Sequence, residues 1–151
     1  MVFRQRDRVF SPLELSRNAH DPSSDLFSRL DRLERYRGSD GKMAFKIVFP
    51  RVDEPNWIVW EQSTNPIRMR SGESVDGFEA IDLAYHRRDS REDTAFNGLQ
   101  RSRSEQFLMH AYDPANPETD WYVIGSQRAS FAGAKGDAEE TCVELYALRP
   151  S

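Results

Sequence analysis

Hydrophobic and polar residues alternate most regularly in the stretch 45–62, FKIVFPRVDEPNWIVWEQ. Positions 45, 47 and 49 are large and apolar, and this period of two is typical of a β-strand with one buried face. Pro50 and Pro55 interrupt the stretch before the second apolar run, WIVW. Because proline lacks the N–H donor that a helix interior needs, the pattern predicts two strands joined by a turn.

Shorter apolar runs continue along the chain with turn-forming residues between them. They occupy about 75–85, 96–99, 104–112, 121–125 and 142–148, and Asn97-Gly98 is a hairpin signal. Roughly seven to nine short strands at near-regular spacing are typical of sandwiches and jelly rolls. We therefore expect a mostly-β fold, an antiparallel β-sandwich or jelly roll.

One segment has helical rather than strand periodicity. Its apolar positions fall on one helical stripe and are Leu26, Phe27, Leu30, Leu33 and Tyr36. Ser23, Ser24 and Asp25 offer N-cap chemistry before it, so the pattern predicts one amphipathic helix over about 25–37. Residues 1–22 are polar and are predicted to form an N-terminal arm, which leaves 23–151 as the single domain.

Composition narrows the class of protein. The 151 residues suit one domain, and the net charge of −4 disfavours a nucleic-acid binder. No apolar run approaches the ~20 residues of a membrane span, and the first residues lack the apolar core of a signal peptide. The chain is therefore expected to be cytoplasmic as written, or to be a secreted module without its leader. The single cysteine, Cys142, excludes an intrachain disulfide and is expected to be a buried, inert thiol.

No catalytic or metal motif stands out, so no catalytic residue and no obligatory cofactor are predicted. The histidines lack the spacing of a zinc site. A small hydrolase or lyase that pairs His86 or His110 with a carboxylate is an alternative function. The candidates for a calcium ion are Asp40, Asp113 and Asp137, which lie in oxygen-rich turns.

The aromatic residues are the most informative chemistry in the chain. Sugar sites combine an aromatic face for the CH surface of the sugar with amides, carboxylates or arginines for its hydroxyls. The candidate ligand-binding residues are Trp57, Trp60, Glu61, Gln62, Asn65, Trp121 and Arg128. The alternative is that the tryptophans belong to the core. Since Trp57 and Trp60 are three positions apart, they are predicted to lie on opposite faces of a strand.

Several blocks of sequence also carry a resemblance. They are DGKMAFKIVFP at 40–50, WEQSTNP at 60–66, GFEAIDL at 77–83, FNGLQRS at 96–102, WYVIGS at 121–126 and VELYAL at 143–148. In this order they resemble a module of secreted matrix and adhesion-type proteins of marine invertebrates. The last block is also similar to the final strand of discoidin-like, galactose-binding domains. The resemblance implies an extracellular adhesion or glycan-binding module with no catalytic residues to carry over.

The function expected from the sequence is therefore non-catalytic recognition, of a carbohydrate-binding (lectin-like) or adhesion type, with a glycan or another extracellular ligand as partner. Besides the enzymatic alternative, a structural protein that self-assembles is the third hypothesis. In that case the arm or the predicted helix would contact a second copy of the chain, giving a homo-oligomer.

Overall fold

The structure, a computed structural model, describes residues 1–6, 15–51, 53–70, 73–83, 98–101, 108–110, 123–124 and 142–149. For 108–110 and 123–124 the description is of the strand backbone. These residues form a short 3₁₀ helix, Leu30–Tyr36, and strands β1 (Phe3–Arg6), β2 (Ser16–Arg17), β3 (Leu26–Arg29), β4 (Met43–Val48), β5 (Trp57–Gln62), β6 (Glu79–Asp82), β7 (Leu99–Arg101), β8 (Leu108–His110), β9 (Val123–Ile124) and β10 (Cys142–Leu148).

The strands belong to two antiparallel sheets. The larger one has seven strands in the order β2-β3-β1-β10-β4-β5-β6, and the smaller one has three in the order β7-β8-β9. The first and the last of the described strands, β1 and β10, are neighbours in the middle of the large sheet. The prediction of a mostly-β chain is confirmed.

One face of the large sheet is the core. Phe45 lies opposite Trp60 in the register of β4 and β5, and both side chains are fully buried. Their rings stack with centroids 5.4 Å apart. Leu30 and Leu33 of the 3₁₀ helix belong to the same buried cluster. Burying each such side chain stabilises the fold by about 1.5–3 kcal/mol. The alternation at 45–49 therefore predicts a strand whose side chains make a large contribution to the core.

The prediction of an amphipathic α-helix over 25–37 is wrong. Residues 26–29 form strand β3, which pairs with β1, and only 30–36 are helical, as a 3₁₀ helix. Ser24 does not cap a helix; its hydroxyl accepts a hydrogen bond from the backbone N–H of Leu26. Pairing with β1 satisfies the backbone of 26–29, and a 3₁₀ helix suits the remaining Leu30 and Leu33 because residues three apart eclipse each other.

The predicted arm also needs correction where the structure describes it, at 1–6 and 15–22. Residues 3–6 form β1, which lies between β3 and β10, and Val2 and Phe3 are fully buried. Residues 16–17 form the edge strand β2. Arg4 and Arg6 lie on the partly exposed face of β1, as alternation in a strand requires, and both residues of β2 are exposed. These segments complete the sheet of their own chain.

Candidate functional site

The face of the large sheet opposite to the core carries the polar and aromatic groups that remain accessible. We call it the outer face and define it by Lys46, Trp57, Glu61, Asp82 and Tyr146, which are all partly exposed. They come from the adjacent strands β10, β4, β5 and β6. Each alternates with a buried neighbour, except at Asp82, where the pairing of β5 with β6 shifts register.

Trp57, the first residue of β5, is one of the two aromatic residues of the outer face. Its indole Nε1–H donates a hydrogen bond of 2.8 Å to Oδ2 of Asp82. The ammonium nitrogen of Lys46 lies over the ring, 5.6 Å from its centroid. Both contacts hold the indole in place, so a partly exposed ring is presented in one orientation.

Glu144 and Tyr146 occupy the β10 side of the outer face. Glu144 Oε2 accepts a hydrogen bond of 2.8 Å from Nε of Arg4, and Nη2 of Arg4 lies 2.6 Å from the same oxygen in an ion pair. This ion pair neutralises a carboxylate that is only 8% exposed. Burial raises the pKa of Tyr146, and the nearby Glu144 raises it further. The phenol is therefore neutral at physiological pH and lies 3.4 Å from Oε1 of Glu144.

Lys42, Glu61 and Glu79 form a charged group at the β6 side of the sheet. The Lys42 ammonium is 2.8 Å from Oε2 of Glu79 and 4.0 Å from Oε2 of Glu61. The hydrogen bond to Glu79 raises the pKa of Lys42. The positive charge of Lys42 is thus shared by two acids, and Glu61 is held loosely enough to accept another donor.

Trp60 and Gln62, both predicted as ligand-binding residues, lie in the core with no exposed surface. Gln62 Oε1 accepts hydrogen bonds from the indole Nε1–H of Trp60 and from the backbone N–H of Leu99, each 2.8 Å. Its Nε2 donates to the backbone oxygens of Leu99 and Thr64, at 3.0 and 2.7 Å. The amide of Gln62 pairs with both backbone groups of Leu99 and so connects β5 of the large sheet to β7 of the small one.

Asn65 is also buried, at 6% exposure, and its amide is engaged within the chain. Its Nδ2 donates to Glu34 Oε1 at 2.9 Å, and its Oδ1 accepts from the backbone N–H of Ile67 at 3.2 Å. Glu34 also accepts two hydrogen bonds from the guanidinium of Arg37, at 2.8 and 2.9 Å. Asn65 therefore fastens the loop after β5 to the 3₁₀ helix.

The structure brings two of the predicted binding residues to an accessible surface, Trp57 and Glu61. Trp60, Gln62 and Asn65 are buried and satisfy each other's or the backbone's hydrogen bonds, so they support the fold below that surface. Trp121 and Arg128 lie outside the described residues. Sequence reasoning missed Lys46, Asp82 and Tyr146, which share the outer face with Trp57 only through the strand register.

The described residues contain no group of three His, Cys, Asp or Glu side chains that would hold a metal ion. Asp40 is exposed, and its Oδ1 accepts the backbone N–H of Lys42 at 3.0 Å, as in an ordinary turn. Asp113, Asp137 and His86 lie outside the described residues, and of His110 only the backbone is described, in β8. Cys142 is a free, buried thiol at 4% exposure, as predicted.

Comparison with known proteins returns no family model, no curated protein and no solved structure that matches this chain. The part of the chain that the structure describes also contains no helix long and apolar enough to cross a membrane.

Proposed function

We propose that this chain is a non-catalytic recognition module of the carbohydrate-binding type, and that its site is the outer face around Trp57. The observation that carries the proposal is the partly exposed indole of Trp57, whose N–H is anchored on Asp82. An aromatic ring fixed beside carboxylates is the combination that sugar recognition requires. In an adhesion role, the same surface would hold the chain to glycans.

The chemistry of such a site follows from three neighbouring groups. The apolar CH surface of a pyranose would stack on the face of the indole away from Lys46. The second carboxylate oxygen of Asp82 and the carboxylate of Glu61 would accept hydrogen bonds from sugar hydroxyls, and the Lys46 ammonium would donate one. Because hydrogen bonds and strand packing already fix the indole, binding would cost little conformational entropy there.

The proposal includes a β-sandwich arrangement, in which the small sheet is the second layer. Two observations support it. Leu99 of β7 is fully buried and belongs to the same core cluster as Phe45 and Trp60. The hydrogen bonds from Gln62 tie the backbone of Leu99 to β5. A second layer on the core face leaves the opposite face of the large sheet for a ligand.

Isothermal titration calorimetry tests the proposal, because it reports binding whether or not residue 57 is a tryptophan. Wild type is titrated with a panel of monosaccharides and oligosaccharides, alongside Trp57→Ala, which removes the stacking surface, and Trp57→Phe, which keeps an aromatic ring. We expect saturable binding of at least one saccharide to wild type, weaker binding to Trp57→Phe and loss of binding in Trp57→Ala. Circular dichroism shows whether each variant is folded. A folded Trp57→Ala that binds like wild type, or no response to any saccharide, would refute the proposal.

A further inference from the structure

Trp57 has a second aromatic residue on the same face. Tyr146 of β10 lies directly opposite Lys46 of β4, and Val48, two residues further along β4, lies opposite Trp57 of β5. Lys46 therefore stands between the two aromatic side chains, and its ammonium reaches the Trp57 ring. We call this row the Trp57–Lys46–Tyr146 stripe.

The strand register sets the length of the stripe. Trp57 and Tyr146 are separated by two strand spacings of about 4.8 Å and by an offset of about 7 Å along β4, which places their Cα atoms about 12 Å apart. A single pyranose ring is too short to contact both side chains. An extended oligosaccharide that crosses β5, β4 and β10 would place different sugar units on the two rings.

The charged residues in and beside the stripe differ in whether they form an ion pair. Glu144 is paired with Arg4, and Lys42 is paired with Glu79. Lys46 contacts the indole of Trp57, and the ion pairs between described residues do not include it. Its ammonium would complement an anionic group on a ligand between the two rings.

We propose that the stripe binds an extended acidic oligosaccharide. Sugar units lie on Trp57 and Tyr146, and a uronate carboxylate or a sulfate of the same chain lies at Lys46. This inference rests on the proposed function, since it names the class of saccharide that the same surface takes. The carboxylate of Asp82, bonded to the Trp57 indole, lies at the end of the stripe away from Tyr146 and accepts hydroxyls there.

Calorimetric titration tests the proposal with four sets of saccharides: a monosaccharide, a neutral oligosaccharide, a uronate-containing oligosaccharide and a sulfated oligosaccharide, the last three of equal length. We expect the acidic oligosaccharides to bind at least about tenfold more tightly than the other two, since charge-assisted contacts and a second aromatic add to the first. The preference should weaken as salt is added. Whichever acidic chain binds best identifies the anionic group.

Variants separate the stripe from the rest of the face. Lys46→Gln should lower the affinity for the acidic oligosaccharide about tenfold and the affinity for the neutral one by less, because the glutamine amide still donates a hydrogen bond but carries no charge. Tyr146→Leu should remove the difference in affinity between the neutral oligosaccharide and the monosaccharide, because the second sugar unit then has no aromatic ring to contact. The matched control is Lys42→Gln, which removes a lysine of the same face that is already paired with Glu79, and it should change the affinity less than about twofold.

The outcomes distinguish this inference from the proposed function. If binding depends on Trp57 but not on chain length, charge or Lys46, the inference is overturned and the proposed function stands. If no saccharide binds to wild type, both the inference and the proposed function are overturned. If Tyr146→Leu fails to fold, the Lys46→Gln comparison still decides the charge preference, and the length series in wild type still decides the extent of the site.

Discussion

Replacing Gln62 by leucine removes the side-chain amide that connects the two sheets, and we predict a large loss of stability. Gln62 is fully buried and makes hydrogen bonds with the Trp60 indole and with both backbone groups of Leu99. Leucine has a similar volume but no polar atom, so the substitution leaves these partners buried without a hydrogen bond. Because the two side chains have similar volumes, the substitution leaves little cavity, and the change in the free energy of unfolding measures the loss of the polar contacts.

The magnitude follows from the number of orphaned groups. Each buried donor or acceptor left unsatisfied costs about 1–3 kcal/mol. The substitution orphans the Leu99 N–H and the Trp60 indole N–H, and the Leu99 carbonyl loses its donor. After partial relaxation we expect the free energy of unfolding to fall by about 3 kcal/mol, a large share of the roughly 5–15 kcal/mol typical of a domain. The melting temperature should fall by about 6–12 °C.

Urea denaturation of wild type and Gln62→Leu measures the change. Glu61→Gln is the matched control, since Glu61 directly precedes Gln62 in β5 but is partly exposed. This control substitution should change the free energy of unfolding by less than about 0.5 kcal/mol. A Gln62→Leu protein within about 0.5 kcal/mol of wild type would refute the role of Gln62. Gln62→Glu gives a second check. It keeps the acceptors but faces the carbonyl oxygens of Leu99 and Thr64 with a carboxylate, so it should be less unstable at acidic pH, where the carboxyl is protonated.

Three further outcomes are expected from the same structure. Hydrogen bonds from Arg37 lower the pKa of Glu34 to about 2 from its usual 4.5. The contribution of ionised Glu34 to the free energy of unfolding is therefore complete above about pH 5 and is lost as the pH falls from about 4.5 toward 2. Over that range the gap in unfolding free energy between wild type and Glu34→Gln should shrink in acid-urea titrations, and a constant gap would contradict the contacts. Gly98→Ala should cost about 1–3 kcal/mol in thermal unfolding, because Gly98 has φ +102° and a Cβ there would be 2.8 Å from Gln62 Oε1; an unchanged melting temperature would contradict this. Phe45→Ala should cost about 3–5 kcal/mol in urea denaturation, since it empties the space beside Trp60, and a cost below about 1 kcal/mol would place Phe45 outside the core.

The strands that the sequence predicts well are those with strong alternation. The side chains at 45, 47 and 49 and those of Val143 and Leu145 are buried, as their period of two requires. The parity of Trp57 and Trp60 correctly separates their faces. Which of the two faces the core depends on pairing with Phe45, and that pairing is not visible in the local pattern.

The helix and the arm were mispredicted because β1 and β3 stabilise each other over a distance in sequence. Positions 26–36 read as one apolar helical stripe, yet 26–29 gain more from backbone pairing with residues 3–5. The polar residues at 4–6 predict an exposed segment, since Arg4 is charged. In the folded chain Arg4 is paired with Glu144, 140 positions away, which no local signal reveals.

The candidate site could be predicted only in part for the same reason. The amides of Gln62 and Asn65 look like ligand contacts beside two tryptophans. Their partners Leu99 and Glu34 lie 37 and 31 positions away, so the sequence does not show that these amides are already bonded. Trp57 remains from the predicted set as an accessible aromatic because its strand neighbour Ile58 turns toward the core.

The most direct test of glycan recognition at the outer face is the NMR spectrum of the tryptophan indole N–H groups during titration with an acidic oligosaccharide. Assignment by Trp57→Phe and Trp60→Phe distinguishes the two relevant signals. We predict a saturable shift of the Trp57 indole N–H, which is bonded to Asp82 on the outer face, and no comparable shift of the Trp60 indole N–H, which is bonded to Gln62 in the core. An unmoved Trp57 signal at saturating oligosaccharide would contradict the account.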